Sequence, residues 1–194
     1  GSTGPGSGGI AARTGRGGSV SEPRGSLVIP SLDRHTILQE TVERFLDFPF
    51  DDWELIVGDQ TAEPCRFLEQ LVDRRPEQVR YLRIDTRGLP NARNVGIAAA
   101  RGSIVLFVDD DVIPDTGFLA AHLAAYSEAG VGGVAGRIVE AIPKPKTLAE
   151  GAPIGRVRRI DGRITRGFEN TAEMDVDHAP GGNMSWRRKA LLDA

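Results

Sequence analysis

The sequence is short of the residues that build disulfide, zinc and membrane structures. It contains one cysteine, Cys65, in 194 residues, so no internal disulfide can form. The cysteine and the three histidines form no cluster with the spacing of zinc ligands. No apolar run approaches the roughly 20 residues that a membrane-spanning helix needs. We therefore expect a cytoplasmic protein, with a peripheral position at the inner face of a membrane left open.

Strong charge of one sign is also absent. The net charge is −3, with 26% charged and 40% hydrophobic residues, which is typical of a globular domain and predicts no nucleic-acid partner. The first 25 residues are rich in Gly, Ser, Arg and Thr and have almost nothing to bury. They are predicted to form a disordered leader, with one domain over residues 26–194.

Apolar strands and amphipathic helices alternate through most of this domain. The predicted strands cover residues 26–30, 54–57, 79–84, 104–108 and 132–139, and the predicted helices about 37–46, 64–75, 92–100 and 118–127. This alternation predicts an α/β fold with a Rossmann-like, mostly parallel central sheet flanked by helices. From residue 141 to about 175 the pattern stops, which indicates a long loop of the kind that often forms a lid.

Three consecutive aspartates, Asp109 to Asp111, directly follow the most apolar strand, Ile104 to Val108. Two like charges about 4 Å apart repel by about 4 kcal/mol at an effective dielectric near 20, and a divalent cation removes that cost. Mg²⁺ and Mn²⁺ prefer carboxylate oxygens and often bridge them to phosphates. The aspartates therefore predict a metal–phosphate site, although a solvated acidic turn before the next helix would show the same residues.

Polar side chains also follow the other strands of the predicted sheet. Ser31 and Arg34 come after the first strand, Asp59 comes after the second, and Arg93 lies in the first turn of a later helix. The carboxyl ends of parallel strands meet at one rim of a sheet, so these groups are expected to share one crevice with the aspartates. Guanidinium groups suit phosphate oxygens, and an aspartate can accept hydrogen bonds from a base or a ribose. A nucleotide-diphosphate ligand fits this set.

Five segments in order resemble the glycosyltransferases of family 2, which have the GT-A fold. Leu27 to Arg34 resembles the opening strand and nucleotide-binding turn, and Glu54 to Thr61 is similar to the second strand with its base-contacting aspartate. Gly88 to Gly96 closely matches the G-L-x-x-A-R-N-x-G segment that lies against the nucleotide. Phe107 to Asp111 looks like the D-x-D metal motif. Gly181 to Arg188 is similar to the G-G-N-M-S-[FW]-R-R segment beside the donor sugar and acceptor.

The resemblance implies sugar transfer from a nucleotide-diphosphate donor to an acceptor hydroxyl, with inversion and with Mn²⁺ or Mg²⁺ as cofactor. Asp111 would bind the metal, and Asp109 the metal or the ribose. The acceptor is left open as a saccharide, a lipid-linked molecule or a small molecule. The substrate-binding residues expected on this basis are Pro30, Ser31, Arg34, Asp59, Thr61, Arg93, Asn94, Asp109, Asp110, Gly182 and Asn183.

The sequence departs from the family pattern at its C-terminal end. An inverting displacement needs a general base, and the family places an acidic residue well downstream of the G-G-N segment. That position is expected beyond Ala194, so the catalytic base stays unassigned and the domain is expected to be incomplete at its C-terminus. In addition, Gly58 precedes Asp59 where the family commonly has an aliphatic residue.

Two other readings remain open. A non-catalytic module that only binds a nucleotide sugar would carry the same segments without the base. A phosphatase of the haloacid dehalogenase type would also have an apolar strand ending in D-x-D, with the first aspartate as nucleophile. That motif normally opens its domain, whereas here two βα units come before Asp109, which makes the phosphatase the weaker alternative.

Overall fold

The computed structural model of the chain describes residues 10–13, 22–141, 153–158, 160, 163–165, 167–169, 171 and 173–194. Most of the leader predicted for residues 1–25 and part of the long loop predicted after residue 141 lie outside these ranges. The strands are β1 (Ile10–Arg13), β2 (Gly25–Ser31), β3 (Trp53–Asp59), β4 (Val79–Ile84), β5 (Ile104–Val108), β6 (Gly133–Ala135) and β7 (Asn183–Arg187). The helices are α1 (His35–Leu46), α2 (Arg66–Arg74), α3 (Leu89–Ala99), α4 (Phe118–Ala125) and α5 (Arg188–Leu192).

One sheet of seven strands runs in the order β1-β4-β3-β2-β5-β7-β6. Strands β4, β3, β2 and β5 pair in parallel, and β1 and β7 run antiparallel to their neighbours. Every residue of β2, β3 and β5 is buried, as expected for parallel strands covered on both faces. The prediction of an α/β fold with a mostly parallel, Rossmann-like sheet is therefore confirmed.

Helices cover both faces of the sheet. On one face, α1, α2 and α4 pack against alternate strand residues such as Leu27 and Leu106. On the other face, α3 and α5 pack against Val28, Phe107 and their neighbours. At about 25 cal/mol per Å² of buried apolar surface, these two layers supply most of the driving force for folding.

The strand order reverses direction beside β2. The chain builds β2, β3 and β4 outward, and after α3 it returns to place β5 on the opposite side of β2. The pairing of β2 with β5 ends at Val28 and Phe107, while β2 continues to Ser31. A crevice therefore opens between the carboxyl ends of these two strands, where open α/β sheets bind their ligands.

The structure differs from the sequence prediction in three elements. Asn183–Arg187 forms β7, between β5 and β6, in a segment where the sequence analysis predicts no strand. Strand β6 covers only Gly133–Ala135 of the predicted 132–139. Strand β1 lies within the predicted leader. It pairs with β4, whose outer edge presents unpaired backbone N–H and C=O groups that another strand can bind. Within the described part of the chain, no helix has the length and apolarity to cross a membrane.

Candidate functional site

The three aspartates after β5 point to two different places. The side chain of Asp110 is only 7% exposed, whereas those of Asp109 and Asp111 are 50% and 47% exposed. The chain leaves β5 at Val108 and enters a turn at Asp110 and Asp111, which directs Asp110 inward and leaves its two neighbours facing outward. The crevice therefore presents two carboxylates, and they are the two that the sequence predicts as metal ligands.

Asp110 connects the ends of β2 and β5. Its carboxylate accepts hydrogen bonds from Ser31 Oγ at 2.6 Å and from Arg34 Nη1 at 2.8 Å. The hydroxyl of Thr41 in α1 donates to its backbone carbonyl at 2.9 Å. The sequence predicts Ser31 and Asp110 as substrate contacts, but in this structure they bond to each other. Because a buried carboxylate is stable only when its oxygens are paired, this contact fixes the shape of the crevice.

Two arginines balance the exposed carboxylates from opposite sides. Arg34 Nη2 donates to Asp111 Oδ2 at 2.8 Å, and Arg93 Nη2 lies 3.8 Å from Asp109 Oδ1. Partial burial raises the pKa of Asp109, Arg93 lowers it, and the charges of Asp111 and Asp110 raise it further. On balance the pKa of Asp109 is raised, chiefly because partial burial disfavours the charged form of its carboxyl group. A bound cation would offset that cost by stabilising the charged carboxylate.

Asp59, at the end of β3, is fully buried and already has partners. It accepts hydrogen bonds from the Tyr81 hydroxyl at 2.6 Å and the Thr61 backbone N–H at 2.9 Å, and His35 Nε2 lies 3.1 Å away. The Thr61 hydroxyl accepts a hydrogen bond from the backbone N–H of Asp33 at 2.8 Å. Asp59 and Thr61 thus shape the turn beside the crevice. With its side chain 0% exposed, Asp59 has no free surface for the base contact that the resemblance implies.

The turn before β7 lies against the outer carboxylate. Arg93 Nη2 donates to the Gly181 carbonyl at 2.9 Å, and a Cβ added at residue 182 would lie 2.6 Å from Asp109 Oδ2. Only glycine allows this approach, which is a packing reason for Gly182 at that position. The structure therefore places Gly182 beside the predicted metal ligand Asp109.

The remaining predicted residues lie around the crevice in different environments. Pro30 is buried in β2 beside Gly58 of β3, and Asn94 is exposed on α3 one residue after Arg93. The Asn183 amide donates to the Arg137 carbonyl at 2.8 Å and accepts from His122 Nε2, also at 2.8 Å. The side chain of Asn183 is thus engaged with α4 and the segment after β6.

Sequence reasoning missed three buried polar residues. Tyr81 of β4 holds Asp59, while His122 of α4 and Ser185 of β7 bond to each other at 2.8 Å. The only sequence signal for His122 is that it is the single polar residue of the otherwise apolar helix F-L-A-A-H-L-A-A. Ser185 alternates with Met184 and Trp186, which is the pattern of a half-buried strand.

The donor chemistry of the crevice fits Mn²⁺ or Mg²⁺. Both ions take oxygen ligands, and Mg²⁺ is commonly held by one or two carboxylates, with substrate phosphates and water completing its coordination. Asp109 and Asp111 provide two such carboxylates. Among the residues that the structure describes, no group of three or more His, Cys, Asp or Glu side chains is arranged to hold a metal ion. The ion would therefore be held jointly with a ligand.

The α/β sheet, with an acidic crevice at its switch point bordered by two arginines, has the architecture expected of a GT-A domain. The family model described as Glycosyl transferase family 2 matches residues 26–193. The chain therefore belongs to glycosyl transferase family 2, as the resemblance of its motifs predicts.

Curated relatives match part of the chain. It is 31% identical over 90 residues to the uncharacterized glycosyltransferase EpsJ of Bacillus subtilis (strain 168), covering 46% of this chain and 26% of that protein. It is 27% identical over 156 residues to the NDP-glycosyltransferase ltbB of Aspergillus luteorubrus, covering 78% of this chain and 34% of that protein. The chain thus spans about a third or less of the length of these relatives.

Solved structures agree with the fold. The mannosyltransferase PcManGT from Pyrobaculum calidifontis, in complex with GDP-Man and Mn²⁺, has a TM-score of 0.64 and 17% identity, covering 89% of this chain and 47% of that one. S. aureus TarS in complex with UDP-GlcNAc has a TM-score of 0.61 and 18% identity, covering 88% and 47%. At this level of identity the likeness shows the shared fold.

Proposed function

We propose that this chain is the donor-binding part of an inverting, metal-dependent glycosyltransferase that moves a sugar from a nucleotide diphosphate to an acceptor hydroxyl. The observation that carries the proposal is the division of the three aspartates. Asp110 is used internally, and Asp109 and Asp111 are left half exposed in the crevice at the switch point. A solvated acidic turn would also expose carboxylates, but the position of these two at the switch point, beside Arg34 and Arg93, favours a ligand site.

Asp109 and Asp111 would hold Mn²⁺ or Mg²⁺. The ion would supply charge neutralisation for the departing diphosphate. The complexes of the similar folds, one with GDP-Man and Mn²⁺ and one with UDP-GlcNAc, support a nucleotide-sugar donor for this chain as well.

The chain's own residues would bind and orient the donor. Arg34 and Arg93 border the two carboxylates. When the donor enters, each guanidinium can exchange its present acceptor in the protein for a phosphate oxygen of the donor. Ser31 and Thr61 line the ends of β2 and β3 and form the nucleotide rim together with Pro30 and Asn94. Asp59 and Asp110 contribute by holding that rim in shape.

The acceptor side is proposed from the resemblance alone. The acceptor is a saccharide, a lipid-linked molecule or a small molecule, and the cytoplasm is the proposed location. Inversion needs a general base on the acceptor hydroxyl, and the family pattern assigns that role to a residue downstream of the G-G-N segment. We therefore assign the role of general base to none of the acidic residues of the crevice.

Calorimetric titration with UDP, GDP and dTDP, each with and without Mn²⁺, tests the proposal. One nucleotide is expected to bind in the presence of Mn²⁺, and Asp111→Asn is expected to weaken that binding at least about a hundredfold, because a metal ligand is lost. The matched control is Asp115→Asn, which removes an exposed carboxylate four residues away and should leave binding unchanged. Circular dichroism should show both variants folded. Binding that is indifferent to Mn²⁺ and to Asp111→Asn would contradict the proposed site.

A further inference from the structure

His122 is a buried polar side chain at a position of α4 that faces the core. Its ring contacts that of Phe118 in a tilted arrangement, with centroids 4.8 Å apart, and its neighbours in the helix, Leu119 and Leu123, are buried. A leucine would fill this position with less desolvation cost. The imidazole therefore needs another explanation, which its two ring nitrogens provide.

We infer that His122 is a positioning residue that holds the Gly181–Asn183 turn against Asp109, and hence against the donor sugar. The inference rests on the proposed function, because it assigns the turn to the sugar end of the donor. His122 itself touches neither metal ligand, and it acts through Asn183.

The direction of each hydrogen bond around His122 follows from chemistry. The Arg137 carbonyl can only accept, so the Asn183 amide nitrogen must face it and Asn183 Oδ1 must accept from His122 Nε2–H. In a neutral imidazole Nδ1 then has no proton and accepts from the Ser185 hydroxyl. Ser185 Oγ in turn accepts from the Tyr126 hydroxyl at 2.9 Å. Burial lowers the pKa of His122, which favours this neutral form.

This chain of hydrogen bonds ends at the crevice. Asn183 is the first residue of β7, and the residue before it, Gly182, packs against Asp109 Oδ2. Arg93 holds the same turn from the side of α3 through the Gly181 carbonyl. The turn is thus held from two sides, by α3 and by α4. Loss of the His122 bond would leave the backbone pairing of Asn183 in place but would loosen its side chain, and with it the position of the turn beside the donor.

Gly136 gives an independent way to disturb the same residue. Its backbone N–H donates to the Asn183 carbonyl at 3.0 Å, and a Cβ added there would overlap Asn183 Oδ1 at 2.1 Å. Gly136→Ala must therefore displace the Asn183 side chain without altering His122. If His122 acts through Asn183, the two changes should have the same effect on the donor.

The test compares a nucleotide sugar with its nucleotide. Dissociation constants are measured by calorimetry with Mn²⁺ for UDP-GlcNAc against UDP and for GDP-mannose against GDP. His122→Leu and Gly136→Ala are expected to weaken the nucleotide sugar about tenfold more than the nucleotide, the size of one lost buried hydrogen bond. His122→Gln, which keeps an N–H donor for Asn183, should recover part of the loss.

Two matched controls separate positioning from stability. Tyr126→Phe removes the far end of the hydrogen-bond chain and should lower the melting temperature without changing the ratio of the two constants. Gly132→Ala adds the same methyl group as Gly136→Ala at a position where it meets nothing within 4 Å, and should change neither quantity. A long-range proton–nitrogen NMR spectrum should show His122 protonated at Nε2.

The outcomes distinguish this inference from the proposed function. Nucleotide binding with equal ratios in wild type, His122→Leu and Gly136→Ala would overturn the positioning role and leave the donor site intact. Protonation of His122 at Nδ1 would also overturn it. Failure of every nucleotide to bind the wild type would overturn the proposed function, and the inference with it.

Discussion

Two aspartate centres lie at the same rim of the sheet and are built in opposite ways. Asp59, at the end of β3, is buried and held by internal partners, namely Tyr81, His35 and the Thr61 backbone. Asp109 and Asp111, after β5, are half exposed and face charged arginines. A carboxylate saturated by internal donors fixes local structure, whereas a half-exposed one that keeps free oxygens can take a ligand. The comparison therefore separates the residues that shape the site from those that bind.

The largest expected effect lies at the buried centre. Asp59→Asn places an amide among donors that need an acceptor, so we expect a loss of about 2 to 4 kcal/mol in the free energy of unfolding. Asp111→Asn, at the exposed centre, should cost less than about 1 kcal/mol. Urea unfolding of both variants measures the contrast. Tyr81→Phe, which removes one donor to Asp59, should fall between them at about 1 kcal/mol. Equal losses in Asp59→Asn and Asp111→Asn would break the comparison.

A smaller effect should appear at the exposed centre when its counter-charge is removed. Arg34 occupies an oxygen of Asp111, so a metal ion must compete with it for that carboxylate. We expect Arg34→Gln to raise the affinity for Mn²⁺ alone by about three- to tenfold and to lower the affinity for the nucleotide. Electron paramagnetic resonance measures free Mn²⁺ directly. Arg87→Gln, which removes an exposed arginine paired with Asp33, is the control. A fall in Mn²⁺ affinity for Arg34→Gln would contradict this role.

The smallest expected effect is a dependence of stability on pH, and it arises from a buried basic side chain, His122. The groups facing the His122 ring are Ser185, Asn183 and Phe118, with Tyr126 behind Ser185. Its pKa in the folded protein lies below the ordinary 6.5 because of burial, so the unfolded chain takes up this proton first as the pH falls.

The free energy of unfolding should therefore decrease as the pH falls from about 6.5 to the folded-state pKa of His122. Below that folded-state pKa, His122 should cause no further change. Urea unfolding at about pH 7.5 and about pH 5.5 measures the difference. His122→Gln should reduce it. An unchanged difference in that variant would show that another group is responsible.

The sequence predicts the parallel part of the sheet well because its strands are buried on both faces. Such strands appear as apolar runs, for example Ile104 to Val108, and each is followed by the helix that covers it. Strand β7 was missed because it pairs only with segments far away in the chain. Strand β1 was missed because it lies in a segment whose Gly-, Ser-, Arg- and Thr-rich composition predicts disorder.

The location of the candidate site could be predicted from the sequence. Which of its aspartates have internal partners and which are left exposed could not. The three aspartates after a buried strand, and their place at the carboxyl-end rim of the sheet, follow from local patterns. The partners of Asp110, by contrast, are Ser31 and Arg34, which reach it only once β2 and β5 are side by side. His122 was missed for the same reason. Its partners Asn183 and Ser185 come from a distant strand, and a lone histidine in an apolar helix does not reveal them.

The late position of β7 in the chain has a consequence for how the crevice forms. Strands β2 to β5 can assemble with their helices from neighbouring segments, but Val108 pairs with Asn183 only after the whole intervening segment has closed into a loop. Loop closure costs chain entropy before any contact repays it. The scaffold of the donor site can therefore fold early, while the turn that completes it is added last, where the pairing of β7 and the side chains of Arg93 and His122 hold it.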